Sequence, residues 1–78
     1  MARIKGFISG DRDVRAPRTA VDAYVQSFSE DGTRYLYVYN YASGGPKPGD
    51  TPTQSLHFDR AAAVEFRRIL DDAFGPLG

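Results

Sequence analysis

Residues 33–43, "TRYLYVYNYAS", place a tyrosine at every second position: Tyr35, Tyr37, Tyr39 and Tyr41. A repeat of two belongs to a β-strand, which points alternate side chains to opposite faces. Just upstream, Asp31-Gly32 separates this run from a second alternating run, "TAVDAYVQSFS". That dipeptide between two alternating runs predicts a hairpin closed by a two-residue type I′ turn, with Gly32 supplying positive φ. The turn sets the register. Phe28 opposes Tyr35, Gln26 opposes Tyr37, Tyr24 opposes Tyr39 and Asp22 opposes Tyr41, all on one face. The other face pairs Ser27 with Leu36, Val25 with Val38, Ala23 with Asn40 and Val21 with Ala42. One side of the hairpin is aromatic and polar, the other small and aliphatic. A slip of one residue would mix the two sets, so their separation supports the register.

The rest of the chain fits around this hairpin. Alternation predicts strands over 3–9, 19–29, 34–42 and 53–58. Residues 10–18 and 43–52 hold the prolines and glycines of loops. Asp59 reads as an N-cap, "RAAAVEFRRILDDAF" (60–74) as an amphipathic helix, and Gly75-Pro76 as its stop. The expected fold is α+β: a four-stranded antiparallel sheet with one C-terminal helix, in the order β-β-β-β-α, forming one domain over 1–78. Ile4, Ile8, Leu56 and Phe58 fall with the aliphatic set. Arg3, Lys5 and Phe7 fall with the aromatics, and Ser55 and His57 point outward. The helix stripe of Ala62, Ala63, Phe66, Ile69, Leu70, Ala73 and Phe74 should cover the aliphatic face. The inverse packing would put four tyrosine hydroxyls under one helix, each needing a partner. The aromatic face is therefore expected to stay open.

A chain of 78 residues buries only about 60–65% of its unfolded surface. It has no cysteine, so neither disulfides nor thiolate–metal sites can staple it, and oligomerisation is the expected supplement. The sequence has no signal-peptide pattern and no apolar run near the roughly 20 residues that cross a bilayer. The expectation is a cytoplasmic protein with no membrane association. Net charge is zero, which argues against strong nonspecific phosphate binding. The charge is uneven, however: residues 1–18 carry five cations against two acids, on a mildly acidic remainder.

Catalytic chemistry has little to stand on, and the chain reads as a non-enzyme without cofactor or metal. His57 is the only histidine. Ser55, His57 and Asp59 alternate, but i and i+2 of a strand stand about 6.5–7 Å apart, too far for a nucleophile's hydrogen-bond chain. Asp71 and Asp72 diverge on the helix. "SGGPKPGD" lacks the Gly-Lys-Ser/Thr ending of a phosphate loop. The aromatic face offers more. Single-stranded nucleic acid binds by stacking its bases on aromatic rings while cations follow its backbone. The expected binding residues are Tyr24, Phe28, Tyr35, Tyr37, Tyr39, Tyr41 and Phe7, with Lys5, Lys47, Arg15 and Arg18 as cations. The alternative is a protein-interaction or homo-oligomeric module that uses the tyrosine face as its interface, since tyrosine is favoured there.

The run "YNYASGGPKPGD" followed by "SLHFDRAAAVEFRRIL" resembles the positive-cofactor-four family of single-stranded-DNA-binding transcriptional coactivators. The likeness spans roughly residues 20–74 and is mainly one of topology; Lys47-Pro48-Gly49 is its one literal motif. The resemblance implies a transcription regulator, a homodimer joined partly through its helices, and single-stranded DNA lying across the sheets. Carried over position by position, the resemblance implies counterparts only for Lys47, Tyr39 and Tyr41. Asn40 stands where the family carries a basic residue, and Asp22 lies on the second strand.

Overall fold

The computed structural model describes residues 2–77. Strands β1 (Arg3–Ile4), β2 (Ala23–Glu30), β3 (Thr33–Asn40) and β4 (Gln54–Phe58) precede one helix, α1 (Arg60–Phe74). The strands form one sheet in the order β1-β4-β3-β2. The hairpin has the predicted register, from Ala23 opposite Asn40 to Glu30 opposite Thr33. Asp31 and Gly32 take φ of 51° and 81°, the two positive values a type I′ turn requires. β4 continues the sheet antiparallel to β3, with Tyr37 opposite His57 and Val38 opposite Leu56.

The first strand departs from expectation. It is two residues long and runs parallel to β4, pairing Arg3 with His57 and Ile4 with Phe58. The sheet is therefore mixed rather than purely antiparallel. β1 and β2 occupy opposite edges, and the 18 residues between them supply the long connection that this arrangement needs. Phe7 leaves the strand and does not join the aromatic face. It stacks on Phe58 at 6.3 Å and on Phe66 at 5.2 Å, beneath the helix. Burial against two phenylalanines outweighs continued alternation. Ile8 is 97% exposed and joins neither face.

α1 begins where predicted. The Asp59 carboxylate accepts from the Ala62 N–H at 3.0 Å and from Arg3 Nη1 at 2.9 Å, so one side chain caps the helix and ties it to β1. Replacing Asp59 with alanine should cost about 1 kcal/mol through the lost cap, read as a lower urea midpoint at unchanged slope. An unchanged midpoint would show that the cap is not used.

The helix lies on the aliphatic side, as the ring stack Phe7–Phe66–Phe58 records, but covers little of it. Among the described residues only Phe58 and Ala62 are buried. Val25 is 64% exposed and Leu56 44%, and Ile69 and Phe74 of the expected stripe are exposed as well. The accessible surface is 7,039 Å², against roughly 4,700 Å² for a compact monomer of this mass. The radius of gyration is 14.6 Å, against roughly 11.5 Å for a compact chain of this length.

Candidate aromatic binding face

The face opposite α1 carries a continuous row of seven rings. Period-two placement on β2 and β3 projects Tyr24, Phe28, Tyr35, Tyr37 and Tyr39 to one side, and β4 adds His57. Tyr24 stacks on Tyr39 at 5.2 Å, Tyr39 on Tyr37 at 4.6 Å and Tyr37 on His57 at 4.4 Å, with planes within 22°. Phe28 meets His57 edge-on at 5.8 Å and stacks on Tyr35 at 5.3 Å. At the other end Tyr41 stands across the row, at 89° to Tyr24 and 83° to Tyr39. These separations fall in the range where aromatic pairs attract one another. The rings are rigidly set by cross-strand neighbours, and the Tyr39 hydroxyl reaches Gln26 Oε1 at 3.4 Å.

The polar groups around the row follow from the same register. Arg3 lies opposite His57 on the β1 edge, and Lys5 follows two residues on, exposed. Lys47 sits in the loop beyond β3. Its backbone N–H donates to Asp50 Oδ2 at 2.8 Å, and its side chain lines a hollow with Tyr41 and Thr51. Arg15 and Arg18 lie in the exposed stretch before β2. No hydrogen bond or ion pair among the described residues brings them to the rings. The structure thus gathers Tyr24, Phe28, Tyr35, Tyr37, Tyr39 and Tyr41, sets Lys47 beside Tyr41, leaves Lys5 exposed just past β1, and moves Phe7 to the other side.

The residue that sequence reasoning passed over is His57. Its outward direction was readable from β4, but its place between Tyr37 and Phe28 depends on the β3–β4 register. A 13-residue connection leaves that register open in the sequence. The alternating Ser55, His57 and Asp59 do not act together: His57 is engaged by rings, and Asp59 by Ala62 and Arg3. No group of three or more metal-ligating side chains occurs among the described residues. No helix among them is long and apolar enough to cross a membrane.

Crowding of phenols leaves an electrostatic mark. The Tyr41 hydroxyl is held above its ordinary value of 10.0, first by desolvation and then by the negative charge that Tyr39, Tyr24, Tyr37 and Asp50 present to its anion. A phenol raised by folding stabilises the folded chain fully below the unfolded value, and that contribution is lost as pH rises through the folded one. In a tyrosinate-absorbance titration, the difference between wild type and Tyr41→Phe should have a midpoint above that of a free tyrosine. A midpoint at or below the free value would contradict the crowded arrangement.

No family model matches the chain, and neither a curated protein nor a solved structure matches it.

Proposed function

We propose that the aromatic face binds single-stranded nucleic acid, with bases stacked against the ring row and the phosphate backbone following Lys5 and Lys47. The observation that carries this reading is the unbroken row from Tyr41 to Tyr35 on the face the helix leaves open. Bases of every type present a π-face, and they can stack on the outer rings of such a row or slip between its members without needing a large positive charge. The zero net charge fits a binder that relies on stacking more than on phosphate neutralisation. The test is fluorescence-anisotropy titration with labelled single-stranded DNA, single-stranded RNA and duplex DNA at several salt concentrations. Single strands should bind more tightly than duplex. No retention of any single strand at low salt would overturn the proposal.

A second reading, that the chain is a homo-oligomer, draws on a separate observation: the wide apolar surface on the helix side. The chain exposes roughly 2,300 Å² more than a compact monomer of its mass would. Part of that excess is the irregular stretch before β2. The rest includes Val25, Leu36 and Leu56 on the sheet and Val64, Ile69 and Phe74 on α1. Obligate dimers bury about 1,000–2,500 Å² per partner, so a second copy on this side matches the shortfall in area. The proposed homodimer uses the aliphatic side and leaves the tyrosines free, which separates it from an interface made by the aromatic face itself.

A further inference from the structure

The ring row ends in a cleft. Beyond Tyr24 and Tyr41 the chain folds back through Ser43, Gly44, Gly45 and Pro46, which with Val21 and Asp22 line an open cleft of about 360 Å³. That volume lies at the low end of the roughly 300–1,000 Å³ typical of small-ligand sites, enough for one nucleoside and not for a longer segment.

The loop beside the cleft is tied by its own hydrogen bonds. The Gly45 N–H donates to the Ala42 carbonyl at 3.0 Å, the Asp50 N–H to the Lys47 carbonyl at 2.9 Å, and the Lys47 N–H to the Asp50 carboxylate at 2.8 Å. Two turns are thereby locked one after the other. Gly45 lets the loop lie against the ring wall: a Cβ there would come 3.3 Å from the Ala42 carbonyl oxygen and 3.4 Å from Tyr41 Cβ.

Its chemistry is selective. No lysine or arginine lines it, and the one charged group on its walls is the Asp22 carboxylate. Asp22 has no hydrogen-bond or ion-pair partner among the described residues. A carboxylate only accepts hydrogen bonds, and it repels phosphate. Among the bases, guanine alone offers two adjacent donors on one edge, its N1–H and its N2 amino group, matching the two carboxylate oxygens. Thymine and uracil flank their single N–H with carbonyls, and adenine and cytosine set an acceptor beside their amino group. Tyr24 stacks on Tyr39, meets Tyr41 at right angles and, at 45% exposed, is the most open ring of the row.

We propose that this cleft seats an unphosphorylated terminal guanine of a bound single strand, packed against the Tyr24–Tyr41 end of the row and read by Asp22. The proposal rests on nucleic-acid binding by the ring row and adds to it an end preference and a base preference. The test compares short oligothymidylates carrying one guanine at the 5′ end, at the 3′ end, in the middle or nowhere, each end form with and without a terminal phosphate. A guanine at one end should tighten binding about tenfold, the scale of one bidentate base contact. A phosphate on that terminus should remove the gain. Asp22→Ala, at an exposed position preceding β2, should remove it too without weakening plain oligothymidylate binding or changing the circular-dichroism spectrum. Equal binding of all the strands overturns the cleft proposal and leaves the ring row standing. Failure of every strand to bind overturns the ring row, and the cleft with it.

Discussion

Truncating Tyr37 to alanine should weaken binding of single-stranded oligonucleotide about 10- to 100-fold. Tyr37 is the middle of the row, stacked on Tyr39 at 4.6 Å and on His57 at 4.4 Å. Loss of one ring from a stacking platform costs about 1–3 kcal/mol per base, and 1.4 kcal/mol is a factor of ten in affinity. The loss here should lie toward the upper part of that range, because His57 and Tyr39 each lose a neighbour that holds them in place. Tyr39→Ala should behave similarly. Tyr37→Phe keeps the ring and should retain most of the affinity, which separates stacking from any role of the hydroxyl. Because both rings lie away from α1, the unfolding midpoint should move far less than the binding constant. Salt provides a second measure from the same titrations. Lys5 and Lys47, two cations unpaired among the described residues, imply a log–log salt slope of roughly −1.4 for a single strand. Unchanged affinity of Tyr37→Ala and Tyr39→Ala, at any salt, would exclude the face as the binding surface.

How far the sequence foretold this arrangement differs from one element to the next. The hairpin was legible because its information is local. Asp31-Gly32 fixes the turn, the turn fixes the register, and period two then assigns every ring to a face. The helix was legible for the same reason, since Asp59 and Gly75 mark its ends. β1 was not. Alternation in "RIKGFIS" indicates a strand but says nothing of its neighbour or direction, and its pairing with β4 joins residues some 54 positions apart. Phe7 follows the same logic. Its alternation phase pointed to the tyrosines, while the deciding contacts came from Phe58 and Phe66, both distant in sequence. The central place of His57 and the cleft at Tyr41 likewise depend on how the 41–53 connection closes. The sequence also predicted too complete a cover. The apolar stripe of α1 has the right spacing, but a 15-residue helix lying near the β1–β4 edge reaches Phe58 and leaves Val25 on β2 in the open.

That uncovered side yields the sharpest mutational test of assembly. On a monomer, Val25→Asp would be nearly silent, since the side chain is 64% exposed and surface changes seldom exceed about 0.5 kcal/mol. In the proposed homodimer the same valine lies within an apolar interface, next to Val38 across the hairpin. Arg34, bonded to Ser27 at 2.7 Å and Ser29 at 3.3 Å, supplies part of a polar rim of the kind interfaces carry. Removing a buried valine costs about 1.5–3 kcal/mol. A twofold interface loses it in both copies, so dimerisation should weaken by about 3–6 kcal/mol before any cost of burying the carboxylate. That corresponds to at least a hundredfold loss. Val25→Asp should therefore sediment as a monomer at concentrations where wild type is a dimer, and its urea midpoint should fall and cease to depend on protein concentration. Gln26→Asp changes the adjacent residue on the opposite face and should leave the dimer intact. The contrast between two neighbouring positions reports which side of the sheet is covered. A wild type that sediments as a monomer, with a midpoint that Val25→Asp does not move, would overturn the homodimer. Dissociation by Gln26→Asp and not by Val25→Asp would instead place the interface on the rings, in competition with nucleic acid.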